Sequence, residues 1–143
     1  MASEAQISII IPVFNRGEVV KATLDSVAKQ SLRPLEVILV DNNSTDNSLE
    51  VLNNWKQNVE ANDFHVTILS ETKPGAAAAR NRGLKEVKTP YTMFFDSDDI
   101  MHPTHAQRIV DAFAKNADID VVGANVNVKT LSGAKSEYRF CDK

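Results

Sequence analysis

Two short runs, Ile7-Ser8-Ile9-Ile10-Ile11 and Val37-Ile38-Leu39-Val40, are apolar and largely β-branched at almost every position. A strand with one wet face would alternate; an unbroken apolar run is expected where both faces of a sheet are covered. Between them, Val20, Leu24, Val27 and Ala28 recur at the helical period, and Leu49, Leu52, Trp55 and Val59 do so after the second run. Val66–Leu69 and Tyr91–Phe95 read as strands three and four, with Ala76–Val87 as the helix between them. Pro12 ends the first strand, because proline cannot donate to a sheet ladder, and Arg33-Pro34 closes the first helix. Ala106, Ile109, Val110, Phe113 and Ala114 form the stripe of a fourth helix, with Pro103 near its start. Ile119–Lys129 reads as a fifth strand, Leu131–Ala134 as a turn and Ser136–Phe140 as a returning strand. The order βαβαβαβαβ predicts an α/β fold: a mostly parallel, Rossmann-like sheet with helices on both faces.

The 143 residues suit one domain with one sizeable core. A net charge of −3 argues against a broad nucleic-acid-binding surface, so an anionic ligand needs a local cluster, a metal or helix N-termini. No apolar run reaches the roughly 18 residues that span a bilayer. Met1–Gln6 lacks the basic-then-apolar order of a signal peptide, and the lone Cys141 has no internal disulfide partner. The expectation is a cytoplasmic chain.

In a parallel sheet of this kind ligands bind where loops leave the carboxyl ends of the strands. The unusual loops all fall on that edge: Asn15-Arg16, Asp41–Asp46, Lys73–Gly75 and Asp96–Asp99. In an extended segment Asp96 and Asp98 would point to one side, where carboxylates roughly 5 Å apart repel by about 3 kcal/mol at an effective dielectric near 20. Such a cluster is expected to hold a divalent cation that presents an anionic, phosphorylated ligand; the alternative is a polar loop capping the next helix. Asp41, at a strand end, can accept from a uracil imide N–H or a sugar hydroxyl, or it can cap the second helix, as can Ser44 and Asp46. Pro74-Gly75 ahead of four alanines leaves backbone N–H groups to face an anion. An inward Arg80 would pair with Asp41 or with a ligand. His102 and His105, with Pro103 between them and no third partner, read better as local structure than as metal ligands, and Asn125 and Asn127 border the cleft or do not. Neither G-x-G-x-x-G after strand one nor G-x-x-x-x-G-K-[ST] occurs, which disfavours dinucleotide and P-loop sites.

Four segments in order, Ile9–Asn15, Val40–Asp46, Gly75–Gly83 with Ala79-Arg80-Asn81, and Phe95-Asp96-Ser97-Asp98-Asp99 as a D-x-D motif, resemble the nucleotide-sugar half of a family 2 glycosyltransferase of the A-type fold. The resemblance implies a single domain whose residues 7–118 bind a nucleotide-diphosphate sugar, with a UDP-sugar favoured, and whose residues 119–143 begin an incomplete acceptor-side region. It implies that Pro12, Phe14 and Asn15 line the nucleotide pocket, that Asp41 recognises the base, and that Gly75, Arg80 and Asn81 border base, ribose or diphosphate. Asp96 would contact ribose and metal-bound water, and Asp98, in competition with Asp99, would bind Mn²⁺ or Mg²⁺. The implied activity is metal-dependent, inverting transfer to a saccharide or lipid-linked acceptor in cell-envelope polysaccharide synthesis, peripheral to the inner face of the membrane. Inverting members use a further carboxylate as general base, and neither Glu137 nor Asp142 sits in such a motif. The expectation is therefore a fragment that binds donor without transferring it and that self-associates through open sheet edges. A non-catalytic nucleotide-binding or scaffold domain is the alternative.

Overall fold

The computed structural model describes residues 4–124, 126–129 and 135–138. The chain divides into two compact units, Met1–Val110 and Asp111–Lys143.

The first unit holds four parallel strands, β1 (Ile7–Val13), β2 (Leu35–Asp41), β3 (Phe64–Ser70) and β4 (Tyr91–Phe94), in the order β3-β2-β1-β4. Three helices connect them: α1 (Val20–Ala28), α2 (Ser48–Val59) and α3 (Ala76–Leu84). The unbroken apolar runs are the two inner strands, as their pattern requires: Ile7, Ile9, Ile10, Ile11, Val37, Leu39 and Val40 are buried. Ile10 pairs with Ile38, so these two share a face, and Ala79 of α3 packs there with Ile10, Ile38 and Val40. Leu35, on the opposite pleat, pairs with Phe64, whose ring meets Trp55 of α2 edge-on at 5.8 Å. Helices therefore cover both faces. The chain steps outward from β1 to β3, then crosses back over the sheet through α3 to place β4 on the far side of β1. This reversal opens a crevice between the carboxyl ends of β1 and β4.

α3 lies close enough to the sheet that a Cβ at Gly83 would stand 2.7 Å from Ile10 Cγ2. Ile10 is fully buried and β-branched, with little freedom to yield. Gly83→Ala is expected to cost about 1–3 kcal/mol, as overpacking does, and a urea melt of the variant checks it.

Several sequence expectations need correction. The third helix stops at Leu84 and not at Val87, because the chain tightens into i→i+3 turns from Glu86 N to Gly83 O and from Val87 N to Leu84 O. Leu49 of α2 is exposed; Ser48 takes the buried position and joins the β1 loop. Strand one does not end at Pro12 but runs on to Val13, with Pro12 in register with Val40, and strand four ends at Phe94. Ile119–Lys129 is not one strand. Ile119 N closes a turn on Asn116 O, Val121 is 83% exposed, and pairing begins only at β5 (Val126–Lys129). β5 runs antiparallel to β6 (Lys135–Tyr138), the returning strand, in the second unit. The expected turn at Leu131–Ala134, and Asn125, Phe140, Cys141 and Asp142, lie outside the described residues. So do the side chains of Asn127 and Glu137.

The fourth helix, α4, spans His105–Lys115 with Ala106 and Ile109 buried. Burial, then the charges of His102 and Arg108, hold the His105 imidazole below the usual histidine range. The unfolded chain thus takes up a proton first as pH falls below about 6.5, and stability is lost from there down to the lowered folded value. Urea midpoints between pH 7.5 and 5.5 should fall, and His105→Gln should flatten that decline.

Candidate functional site: a cleft at the carboxyl edge of the sheet

The crevice is a cleft of about 750 Å³. Pro12, Phe14 and Arg16 line it from the end of β1, Asn42, Asn43 and Thr45 from the end of β2, and Thr72, Pro74 and Gly75 from the loop after β3. Ala76, Ala79 and Arg80 of α3 form one wall, and Asp96, Ser97 and Asp98 after β4 another.

The acidic run does not continue the strand. It folds into a turn in which Asp99 N donates to Asp96 O at 3.4 Å. The turn, rather than strand alternation, brings the carboxylates together: oxygens of Asp96, Asp98 and Asp99 lie within 4.8 Å of one another. Among the described residues no other group of three His, Cys, Asp or Glu side chains is placed to hold a metal ion. Three exposed carboxylates are hard oxygen donors, the set that Mn²⁺ and Mg²⁺ prefer, so the residues fit such a cation. Partial burial, then the charges of Asp98 and Asp96, raise the Asp99 carboxyl above its ordinary value. Asp98 faces the cleft, whereas Asp99 is not among the lining residues.

Arg80 pairs with Asp96, Nη2 to Oδ1 at 3.1 Å, and not with Asp41. The reach explains it: Arg80 leans over the Phe94 ring, 6.0 Å from its centroid, towards the end of β4. With both side chains at least a third exposed, the pair contributes at most about 1 kcal/mol and opens readily to a competing anion.

Asp41 is 5% exposed at the end of β2. Its Oδ2 accepts a long bond from Ser44 N (3.4 Å), while Oδ1 is buried without a partner. It is not a lining residue, but its successor Asn42 and its register partner Val13 are. Asp46 accepts from Ser48 N, Ser48 Oγ and Gly17 N. The Ser48 hydroxyl leads the causes that keep its carboxyl below the usual range. Asp46 thus serves the first turn of α2, while Ser44 Oγ accepts from Asn15 N. Asn15, at φ 48°, spends its Oδ1 on Thr45 N (2.7 Å), Thr45 Oγ1 and Asp46 N. It fastens the β1 loop to the β2 loop and does not line the cleft. Asn81 is exposed and also lies off the lining.

Gly75 adopts φ 112°, a conformation that side chains resist, at the entry to α3. No side chain caps that helix, so its first-turn N–H groups are left to the cleft beside Gly75 and Ala76. Asn42 sets this loop: its Nδ2 donates to Glu71 O and Lys73 O, and its Oδ1 accepts from Gly75 N. Arg16, Asn42 and Ser97 fall in loops expected at this edge but carried no expected role of their own, and Thr72 was not expected; for Asn42, an Asx residue directly after a buried strand was the available signal. His102 Nδ1 bonds within its own turn to Thr104, outside the acidic group.

The profile of Glycosyl transferase family 2 matches residues 8–139. The glycosyltransferase YibD of Escherichia coli (strain K12) is 33% identical over 127 residues, covering 89% of this chain and 36% of that protein. The S. aureus TarS 1-349 chain in complex with UDP superposes with a TM-score of 0.70 at 20% identity, covering 90% of this chain and 43% of that one. A mannosyltransferase from Pyrobaculum calidifontis, PcManGT, in complex with GDP-Man and Mn²⁺ does so with 0.69 at 25% identity, covering 90% and 36%. The chain thus spans well under two thirds of the length of these relatives. A parallel sheet reversed between β1 and β4, a cleft at that reversal and a family match over nearly the whole chain agree: this chain belongs to glycosyl transferase family 2.

Proposed function

We propose that this region binds a nucleoside-diphosphate sugar together with Mn²⁺ or Mg²⁺ and forms the donor side of an inverting sugar transferase. One observation carries the reading: a single cleft has the acidic turn on one wall and the uncapped amino end of α3 on the other. A diphosphate needs both, a cation held by carboxylates and N–H donors aimed at its oxygens. TarS was solved with UDP and PcManGT with GDP-Man and Mn²⁺, which supports the same ligand class here.

In this reading Asp96 and Asp98 would hold the cation, whose chemistry when bound would be to offset the negative charge of a diphosphate leaving group. Arg80, released from Asp96, turns to phosphate or ribose. Phe14, 55% exposed at the cleft, offers a face for the base, and Asp41 reads its imide N–H. Calorimetric titration of UDP and of GDP, each with Mn²⁺ and with EDTA, tests the proposal. Binding of at least one nucleotide is expected to tighten with Mn²⁺; if neither responds to the cation, the reading fails.

A further inference from the structure

We propose that Thr23, Ser26 and Gln30 of the α1 region are positioning residues that hold the acidic turn in the shape that receives the cation, an inference that rests on the donor-site reading above. Thr23 and Ser26 sit at i and i+3 on one side of α1 and Gln30 just past its end, and all three are buried, at 1%, 8% and 3% exposure. Val20, Leu24 and Val27 beside them are apolar and fully buried, so this side interleaves polar groups where hydrocarbon would pack as well.

Each polar group reaches the irregular segment after β4. Thr23 Oγ1 donates to Ser97 O at 3.0 Å. Ser26 Oγ accepts from Met101 N at 2.9 Å and donates to Thr23 O at 2.6 Å. Gln30 Nε2 donates to His102 O (2.8 Å) and to Ser26 O (3.2 Å), and its Oε1 accepts from Ala106 N in the first turn of α4 (3.0 Å). Ser97 O and Met101 N are the backbone groups on either side of Asp98 and Asp99. The segment carrying Asp98 and Asp99 is thus held on both sides by side chains of α1, in addition to the closing bond of the turn itself.

The turn needs that support. Its own closing bond, Asp99 N to Asp96 O, is long at 3.4 Å, and three carboxylates within 4.8 Å repel one another. Without an external frame, repulsion would spread them, and a cation would have to gather them again on binding. Groups that orient metal ligands from behind typically change metal affinity by about 10–100-fold when removed.

Thr23→Val keeps the shape of the side chain and removes the donor to Ser97 O. UDP affinity in Mn²⁺ is expected to fall about 10-fold, while UDP affinity in EDTA and uridine affinity stay unchanged. Thr23→Ser, which restores the hydroxyl, should recover the Mn²⁺ effect. Ser26→Ala, freeing Met101 N, should repeat the pattern and serves as the second variant should Thr23→Val unfold. Cation dependence that survives both substitutions overturns the inference alone, as does an equal loss with and without Mn²⁺. Wild-type protein whose nucleotide binding ignores Mn²⁺ overturns the donor-site reading and this inference together.

Discussion

Asp98→Asn is expected to weaken Mn²⁺-supported UDP binding on the order of 100-fold, since affinity for a hard cation is set by the number of charged oxygen ligands. Uridine, which carries no phosphate, should bind the variant and the parent alike. Of the three clustered carboxylates, Asp98 is the one that both faces the cleft and has no partner among the hydrogen bonds and ion pairs described. Asp96 lines the cleft as well but is shared with Arg80. Asp99 lies off the lining, and partial burial raises its carboxyl above the ordinary value. Removing Asp98 also lowers the mutual repulsion in the turn, so the urea midpoint should hold or rise slightly. A stable, folded Asp98→Asn protein that binds UDP in Mn²⁺ as the parent does would place the cation elsewhere. Titration of Asp99→Asn alongside it ranks the two neighbours.

Asp41→Asn should reduce uridine binding by roughly 10-fold or more, and should do so equally with and without Mn²⁺, because a hydrogen bond to a charged group contributes about 1.5–3 kcal/mol. The same substitution should change stability little, since the amide keeps an acceptor for Ser44 N and exchanges one partnerless buried oxygen for a partnerless buried NH2. Loss of binding without a matching loss of stability marks a group kept for a ligand and not for the fold. Among the described residues only two buried side-chain polar atoms stand without a partner; the other is the neutral indole N–H of Trp55, on α2. Calorimetry with uridine and a thermal melt read the two effects separately. Loss of binding confined to Mn²⁺ conditions would assign Asp41 to the phosphate side instead.

Ile9, Ile10, Ile11, Val37 and Leu39 declare a sheet covered on both faces by their composition alone, and the register confirms it residue by residue. Their unbroken hydrophobicity is a local property, set by what each side chain costs in water. The acidic cluster is visible for the same reason, since charge density is written in adjacent residues. Its geometry is not: alternation in an extended segment would align Asp96 and Asp98, and a turn aligns them instead. Whether a strand goes on for two more residues depends on a partner to receive its hydrogen bonds, which sequence does not display. Ile119–Lys129 fails in the same way, apolar enough to pair yet open from Ile119 to Val121.

The partners of single side chains are least visible of all. Asn15 reads as a cleft residue and is a fastener between loops; Arg80 reaches Asp96 and not Asp41. Nothing in the sequence sets Thr23, Ser26 and Gln30 apart, because a buried threonine and a solvated one read identically until the neighbouring backbone is known. By itself, then, the sequence determined the alternation of strands and helices, the edge on which the polar loops gather and the family to which the chain belongs. These rest on hydrophobic period and on motifs of a few consecutive residues. Only the tertiary structure decided how the carboxylates meet, which oxygen of Asp41 is left without a donor and what holds the acidic turn. Arg80 and Asp96 stand 16 positions apart and Ser26 and Met101 stand 75 apart. Separations of that kind are closed by packing across the whole sheet and by nothing local.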